Sequence, residues 1–131
     1  MFKLSLNVGL FQKTIDVLKI DIEYNEWSCF RTMFKEGVLR HVRQLVFEIH
    51  TSEIYTIKRA STTEDFKMMS DVLLEIEKLG FRRFYYHYNP FGKYLSVRSG
   101  KQRTCCYELS YVNINFLKEE KEEDGDSNSA L

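Results

Sequence analysis

Apolar and polar positions alternate between two periods along this chain. "TIDVLKI", residues 14–20, is rich in β-branched and apolar residues and predicts a short buried strand. It ends abruptly in the acids Asp21, Glu23 and Glu26. The period then lengthens: Trp27, Phe30, Phe34 and Val38, with Met33 beside them, form one apolar stripe of an amphipathic helix that Asn25 is placed to cap. "QLVFEIH", residues 44–50, returns to a strand, and a polar loop follows over 51–61. Ser61 with Glu64 three residues on makes a capping-box pattern. Behind it Phe66, Met69, Val72, Leu73, Ile76 and Leu79 keep helical spacing. Gly80 stands where a helix ends in the left-handed conformation. "FRRFYYHYN" is a third strand, and "PFGKY" and "RSGKQR" read as turn-rich loops. "TCCYELSYVNINF", residues 104–116, is the last strand. Its apolar phase slips from odd to even positions, which predicts a bulge near Tyr111.

The order is β-α-β-α-β-β. Strands alternating with helices imply an α/β fold built on parallel units with right-handed crossovers. The last two strands lack a helix between them and are expected to pair antiparallel. At 131 residues there is room for one small domain, assigned to 1–117, and 44% hydrophobic content supports a packed core. Residues 118–131 lack periodicity and read as an acidic disordered tail. Residues 118–126 alone carry six acids and two lysines, which leaves 17 basic and 13 acidic residues elsewhere. That excess is too mild to imply a nucleic-acid partner. Arg82, Arg83, Lys93, Arg98, Lys101 and Arg103 do interleave with Tyr85, Tyr86, Tyr88 and Tyr94, but tyrosine-rich strands more often serve as core or sheet surface.

No apolar run approaches the roughly 20 residues of a membrane span, and "MFKLSLNVGLF" makes a poor signal peptide. A cytoplasmic location is the default expectation. Three cysteines, Cys29, Cys105 and Cys106, with no CxxC, predict neither a zinc site nor a disulfide framework. Adjacent Cys105 and Cys106 are expected on opposite faces of a strand, in a reducing compartment.

The candidate chemistry lies at strand ends. In open α/β sheets ligands sit outside the carboxyl ends of the strands. The first strand delivers Asp21, Glu23 and Glu26 there, the second Glu48 and His50, the third His87 and Asn89. Unpaired charges are costly to bury, so the repeated placement points to a polar cleft. The ligand spacing is not compact, and no metal site is assigned.

"DVLKIDIEYNEW", "LRHVRQLVFEIH" and "LLEIEKLGFRRFYYHYNP", in this order, resemble the C-terminal half of S-adenosylmethionine-dependent methyltransferases of the FkbM-like kind. The likeness covers roughly residues 10–116. It implies a partial class I, Rossmann-like methyltransferase sheet, with these strands as the fourth to seventh and the seventh antiparallel. It implies S-adenosylmethionine as methyl donor to an unknown acceptor. Asp21, Glu23, Glu26, Glu48 and His50 would then face donor or acceptor, and His87 and Asn89 would line the substrate side. A carboxylate or imidazole suits the proton that an acceptor loses as it gains a methyl. Tyr24 and Asn25 stand where the family often has Gly and a small residue. The family's Gly-rich donor loop precedes these strands, and no GxG occurs ahead of Asp21. The chain therefore reads as a truncated domain, inactive by itself. The alternative is a non-catalytic interaction module that self-associates through its exposed first strand.

Overall fold

The computed structural model describes residues 13–54 and 60–127. The helix-like "SLNVGLFQK" and the centre of the 51–61 loop therefore lie outside the described residues, except at their edges. The elements run β1 (Ile15–Ile20), α1 (Glu26–Glu36), β2 (Val42–His50), α2 (Thr63–Lys78), β3 (Phe81–Tyr88), β4 (Lys93–Leu95), β5 (Gln102–Thr104), β6 (Cys106–Asn113) and α3 (Ile114–Ser127).

The main sheet is ordered β1-β2-β6-β3. β1 pairs parallel with β2, and β6 runs antiparallel to both of its neighbours, β2 and β3. Three strands thus share one direction, and the last strand inserts between two of them. β1 lies at an edge of this described sheet and is far from a buried strand: only Ile20 is fully buried, and Val17 is half exposed. β3 holds the other edge and buries only Phe81.

The core follows the two predicted stripes. Trp27 and Phe30 of α1 and Met69, Val72 and Ile76 of α2 are buried with Val42, Leu45 and Phe47 of β2 and with Leu109 and Tyr111 of β6. Phe30 meets Phe47 edge-on at 4.7 Å, and Phe47 stacks on Tyr111 at 5.7 Å. The core thus runs from the first helix through the second strand to the last one. Phe66 and Leu79, at the ends of the α2 stripe, stay partly exposed.

Several expectations need correction. The capping box is shifted by one residue: Thr62 Oγ1 accepts from the Asp65 N–H at 3.1 Å, and Asp65 Oδ2 accepts from the Thr62 N–H at 2.8 Å. Ser61 lies one residue ahead of the cap, and its N–H and hydroxyl donate to Glu53 at 2.8 and 2.7 Å. Asn25 holds the cap position of α1, but its side chain donates backward to the Ile22 carbonyl. The loops around Gly92 and Gly100 form a short hairpin, β4 with β5. The last strand stops at Asn113, where the Asn113 side chain accepts from the Asn115 N–H and α3 begins. The phase slip near Tyr111 therefore marks a change from strand to helix. The register irregularity lies across from it, between Arg83 and Tyr85 of β3. The segment read as a disordered tail is helical to Ser127, and Arg43 sits over the Phe116 ring at 4.8 Å.

Cys105 and Cys106 are joined in a disulfide, and Cys29 is free. The alternation argument failed because Cys105 occupies a bend between β5 and β6 and belongs to neither strand. No helix among the described residues is long and apolar enough to cross a membrane.

Gly80 adopts φ +101°, and a Cβ there would lie 2.6 Å from Asn115 Nδ2, whose amide donates to the Leu79 carbonyl. Gly80→Ala is therefore expected to cost about 1–3 kcal/mol of unfolding free energy. Thr62→Ala should cost about 1 kcal/mol through loss of the cap. Urea denaturation of both variants checks these values. A neutral Gly80→Ala would contradict the closeness of the α2–β3 turn to the start of α3.

Candidate functional site

The β1–β2 register pairs Ile20 with Phe47, so Asp21 and Glu48 follow side by side where the two parallel strands end. The chain then turns sharply. Glu23 and Tyr24 take φ of +50° and +77°, the left-handed region that favours glycine. This is where the resemblance expects Gly, and it is met here by a tyrosine packed partly against the core. The turn delivers Glu26 to the first position of α1 with its side chain pointing inward, fully buried.

Glu26 Oε1 accepts from the Ile22 N–H at 2.8 Å and lies 2.9 Å from His50 Nδ1. With the carboxylate charged, Nδ1 is the donor. Burial by itself would raise the Glu26 pKa, but the hydrogen bonds from His50 and the Ile22 backbone outweigh it and hold the carboxyl below its usual value. Burial pulls the other way on His50; the Glu26 hydrogen bond and charge, with Glu48 and Asp21, overcome it and raise the imidazole. The His50 backbone is also fixed, since the buried Trp27 indole N–H donates to its carbonyl at 2.8 Å.

The second ring nitrogen, Nε2, faces the rim. Asp21 Oδ1 is 4.0 Å from it and Glu48 Oε1 is 3.9 Å from it. The Asn89 amide donates to that same Glu48 oxygen at 3.2 Å. The structure therefore gathers Asp21, Glu26, Glu48, His50 and Asn89. Glu23 stays exposed on the turn beside them. His87 is not brought in: it is exposed on β3, paired in register with Glu108 and stacked against Tyr88 at 5.9 Å. A two-residue step along a twisted edge strand separates its side chain from the one place Asn89 reaches.

Two features escaped the sequence. One is the depth of Glu26, which a charged residue at a helix start conceals; Trp27 beside it and a histidine closing the next strand were the available signals. The other is a cavity of about 450 Å³, walled by Trp27, Ile49, Thr51, Phe66, Met69 and Tyr94, which neither His50 nor any of the rim carboxylates lines. Its outer wall is the β4–β5 hairpin, read from sequence as loop.

Removing one partner of a buried pair leaves the other uncompensated. His50→Ala is expected to lower the unfolding free energy by about 3–5 kcal/mol. The double change Glu26→Leu with His50→Leu should recover most of that loss, because no buried charge remains. A double-mutant cycle in urea tests this. Additive single and double losses would show that the pair is not coupled.

Comparison with known sequences bears on this rim. The profile of the methyltransferase FkbM domain matches residues 4–83, which includes β1, α1, β2 and α2. The chain is similar to "Probable methyltransferase-like protein 24" of Rattus norvegicus and of Homo sapiens. Identity is 32% over 103 residues in each case, covering 78% of this chain and 28% of the relative. The chain thus spans little more than a quarter of the length of these relatives. No solved structure matches it. With well over half of its residues within the matched domain, this chain belongs to the FkbM methyltransferase-domain family.

Proposed function

We propose that this chain supplies the acceptor-side rim of an S-adenosylmethionine-dependent methyl transfer. One observation carries the reading: Asp21, Glu48 and His50 converge where two adjoining parallel strands end, above a buried carboxylate that orients the imidazole. Ligands of open α/β sheets bind at that edge. The fold reading that goes with it is a partial class I sheet. In support, β1, β2 and β3 run in one direction, with the antiparallel β6 between β2 and β3.

S-adenosylmethionine supplies a methyl group bound to a positively charged sulfur. The residues present suit that charge, since carboxylates line the rim, but they include no GxG turn ahead of Asp21 to cradle the rest of the donor. The residues gathered at the rim suit the acceptor side of the transfer. When bound, the donor would supply the methyl to an acceptor atom, leaving the acceptor with a proton to lose. The acceptor then sheds a proton, which Asp21, Glu48 or His50 is placed to take. Glu26 is fully enclosed and acts as a positioning residue.

Replacing the residues aligned with Asp21 and Glu48 by Asn and Gln in a full-length relative should reduce turnover by about 10²-fold or more. Unchanged turnover in both would defeat the assignment.

A second reading rests on β1. It lies at the edge of the described sheet, hydrogen-bonded in register on one side only, with Val17 half exposed. Such an edge can add a strand from another copy of the chain. Light scattering across a concentration series is expected to show a dimer on this reading, and a strict monomer throughout would end it.

A further inference from the structure

One imidazole here is surrounded by three carboxylates. Among the described residues no Lys or Arg forms an ion pair with Asp21, Glu26 or Glu48; the lysine and arginine pairs run to other acids, such as Lys19 to Glu108 and Arg43 to Asp16. The rim thus keeps excess negative charge even if His50 is protonated. The excess reaches inward as well. Glu26 is fully buried, and its Oε2 has no hydrogen-bond partner. A buried carboxylate oxygen left in that state is costly.

The donor atoms are close together. Those of Asp21, Glu26 and His50 lie within 4.8 Å of one another, and so do those of Glu48, His50 and Cys106. His50 belongs to both groups. The Cys106 sulfur is bonded to Cys105 and is not counted as a ligand. The imidazole is committed through Nδ1 to Glu26, while Nε2 faces Asp21 and Glu48. Metal-ligating histidines commonly have this arrangement, with one nitrogen turned to the cation and the other donating to a carboxylate that fixes the ring.

We propose that the rim binds a divalent transition cation of the zinc and cobalt class through His50 Nε2 and the carboxylates of Asp21 and Glu48, with Glu26 orienting the imidazole from behind. In a tetrahedral site with bonds of about 2.1 Å, ligand atoms stand about 3.4 Å apart. The spacings of 4.0 and 3.9 Å from Nε2 exceed that by roughly half an ångström, and Asp21 and Glu48 do not form with His50 a set within 4.8 Å, so both carboxylates must swing toward each other to close on the ion. Asp21 has the freedom to do so, with 47% of its side chain exposed, and it opens the site to solvent. An imidazole among two carboxylates selects borderline cations over magnesium and calcium, which take oxygen ligands. The inference stands whether or not the chain takes part in methyl transfer.

The test uses the purified 131-residue chain, stripped with chelator. Zn²⁺ is titrated by calorimetry, and Co²⁺ by its visible absorption and by quenching of Trp27, whose indole is bonded to the His50 carbonyl. One ion per chain at micromolar affinity or tighter is expected, with Co²⁺ bands of a low-symmetry nitrogen–oxygen site. The double variant D21N/E48Q keeps the Glu26–His50 pair and should bind at least about tenfold more weakly. If that variant does not fold by circular dichroism, E48Q alone is read against the same threshold. Absence of binding to the wild-type chain overturns the proposal. So does affinity unchanged in the variant, which would place the ion elsewhere, as on the acidic helix α3.

Discussion

The contact between Glu26 and His50 organises this end of the molecule. A carboxylate with no exposure to water must find its partners within the protein. Glu26 takes one from the backbone of its own turn, at Ile22, and one from the far end of β2, at His50. That single oxygen therefore ties the end of β1, the start of α1 and the end of β2 into one unit. Trp27, the next residue, reinforces it by bonding the His50 carbonyl from the helix side. The apolar packing of Phe30 and Phe47 lies directly behind. The hydrophobic contacts supply the bulk of the stability, while the polar pair sets which way the imidazole faces. Deleting half of it leaves a buried charge, which costs more than the pair contributes.

The insertion of β6 completes the support. Its antiparallel register sets Cys106 opposite His50 and Glu108 opposite Glu48, so the last strand backs the chemistry of the second. The backbone beyond β3 reaches the same place, where Asn89 bonds both the Cys106 carbonyl and the Glu48 carboxylate. The matched family segment ends at residue 83, yet the rim is closed from residues beyond it. Gly92 follows suit: a Cβ there would stand under 3 Å from both sulfurs of Cys105 and Cys106, so the turn before β4 lies directly on the disulfide.

What could be read from sequence was what depends on periodicity. α1, α2 and the β2 strand announced themselves because one face of each had to be buried, and Trp27, Phe30, Met69, Val72 and Ile76 are buried. Strand ends at the rim were legible for a related reason, since acids cannot continue an apolar strand. Local competition for partners was not legible. The spacing pointed to Ser61 as the cap, but Thr62 fills it with Asp65 while the Ser61 hydroxyl donates to Glu53. His87 and Asn89 looked equivalent, but only the latter lies past the strand end, where its amide reaches Glu48. The cysteines were misread because a bend at Cys105 cannot be seen in a run of apolar letters. The acidic helix α3 was missed because its residues have little apolar face to reveal a period.

The turn that carries Glu23 and Tyr24 shows how the site is maintained at a cost. Two consecutive non-glycine residues with positive φ cost on the order of 1–3 kcal/mol each unless their surroundings impose the conformation. Here the surroundings do. Asn25 anchors the turn through its N–H and its side-chain amide, both donated to the Ile22 carbonyl, and Tyr24 packs against the core. The turn leads directly into α1, whose first residue, Glu26, reaches the Ile22 N–H and the His50 ring. Glycine at Tyr24, as the resemblance expects, would reach the same geometry with less strain. Tyrosine replaces that freedom with packing, so the turn is held by its neighbours rather than by its own backbone preference. Strain retained at the one place where three carboxylates and an imidazole meet is the mark of a turn kept for the position of its side chains.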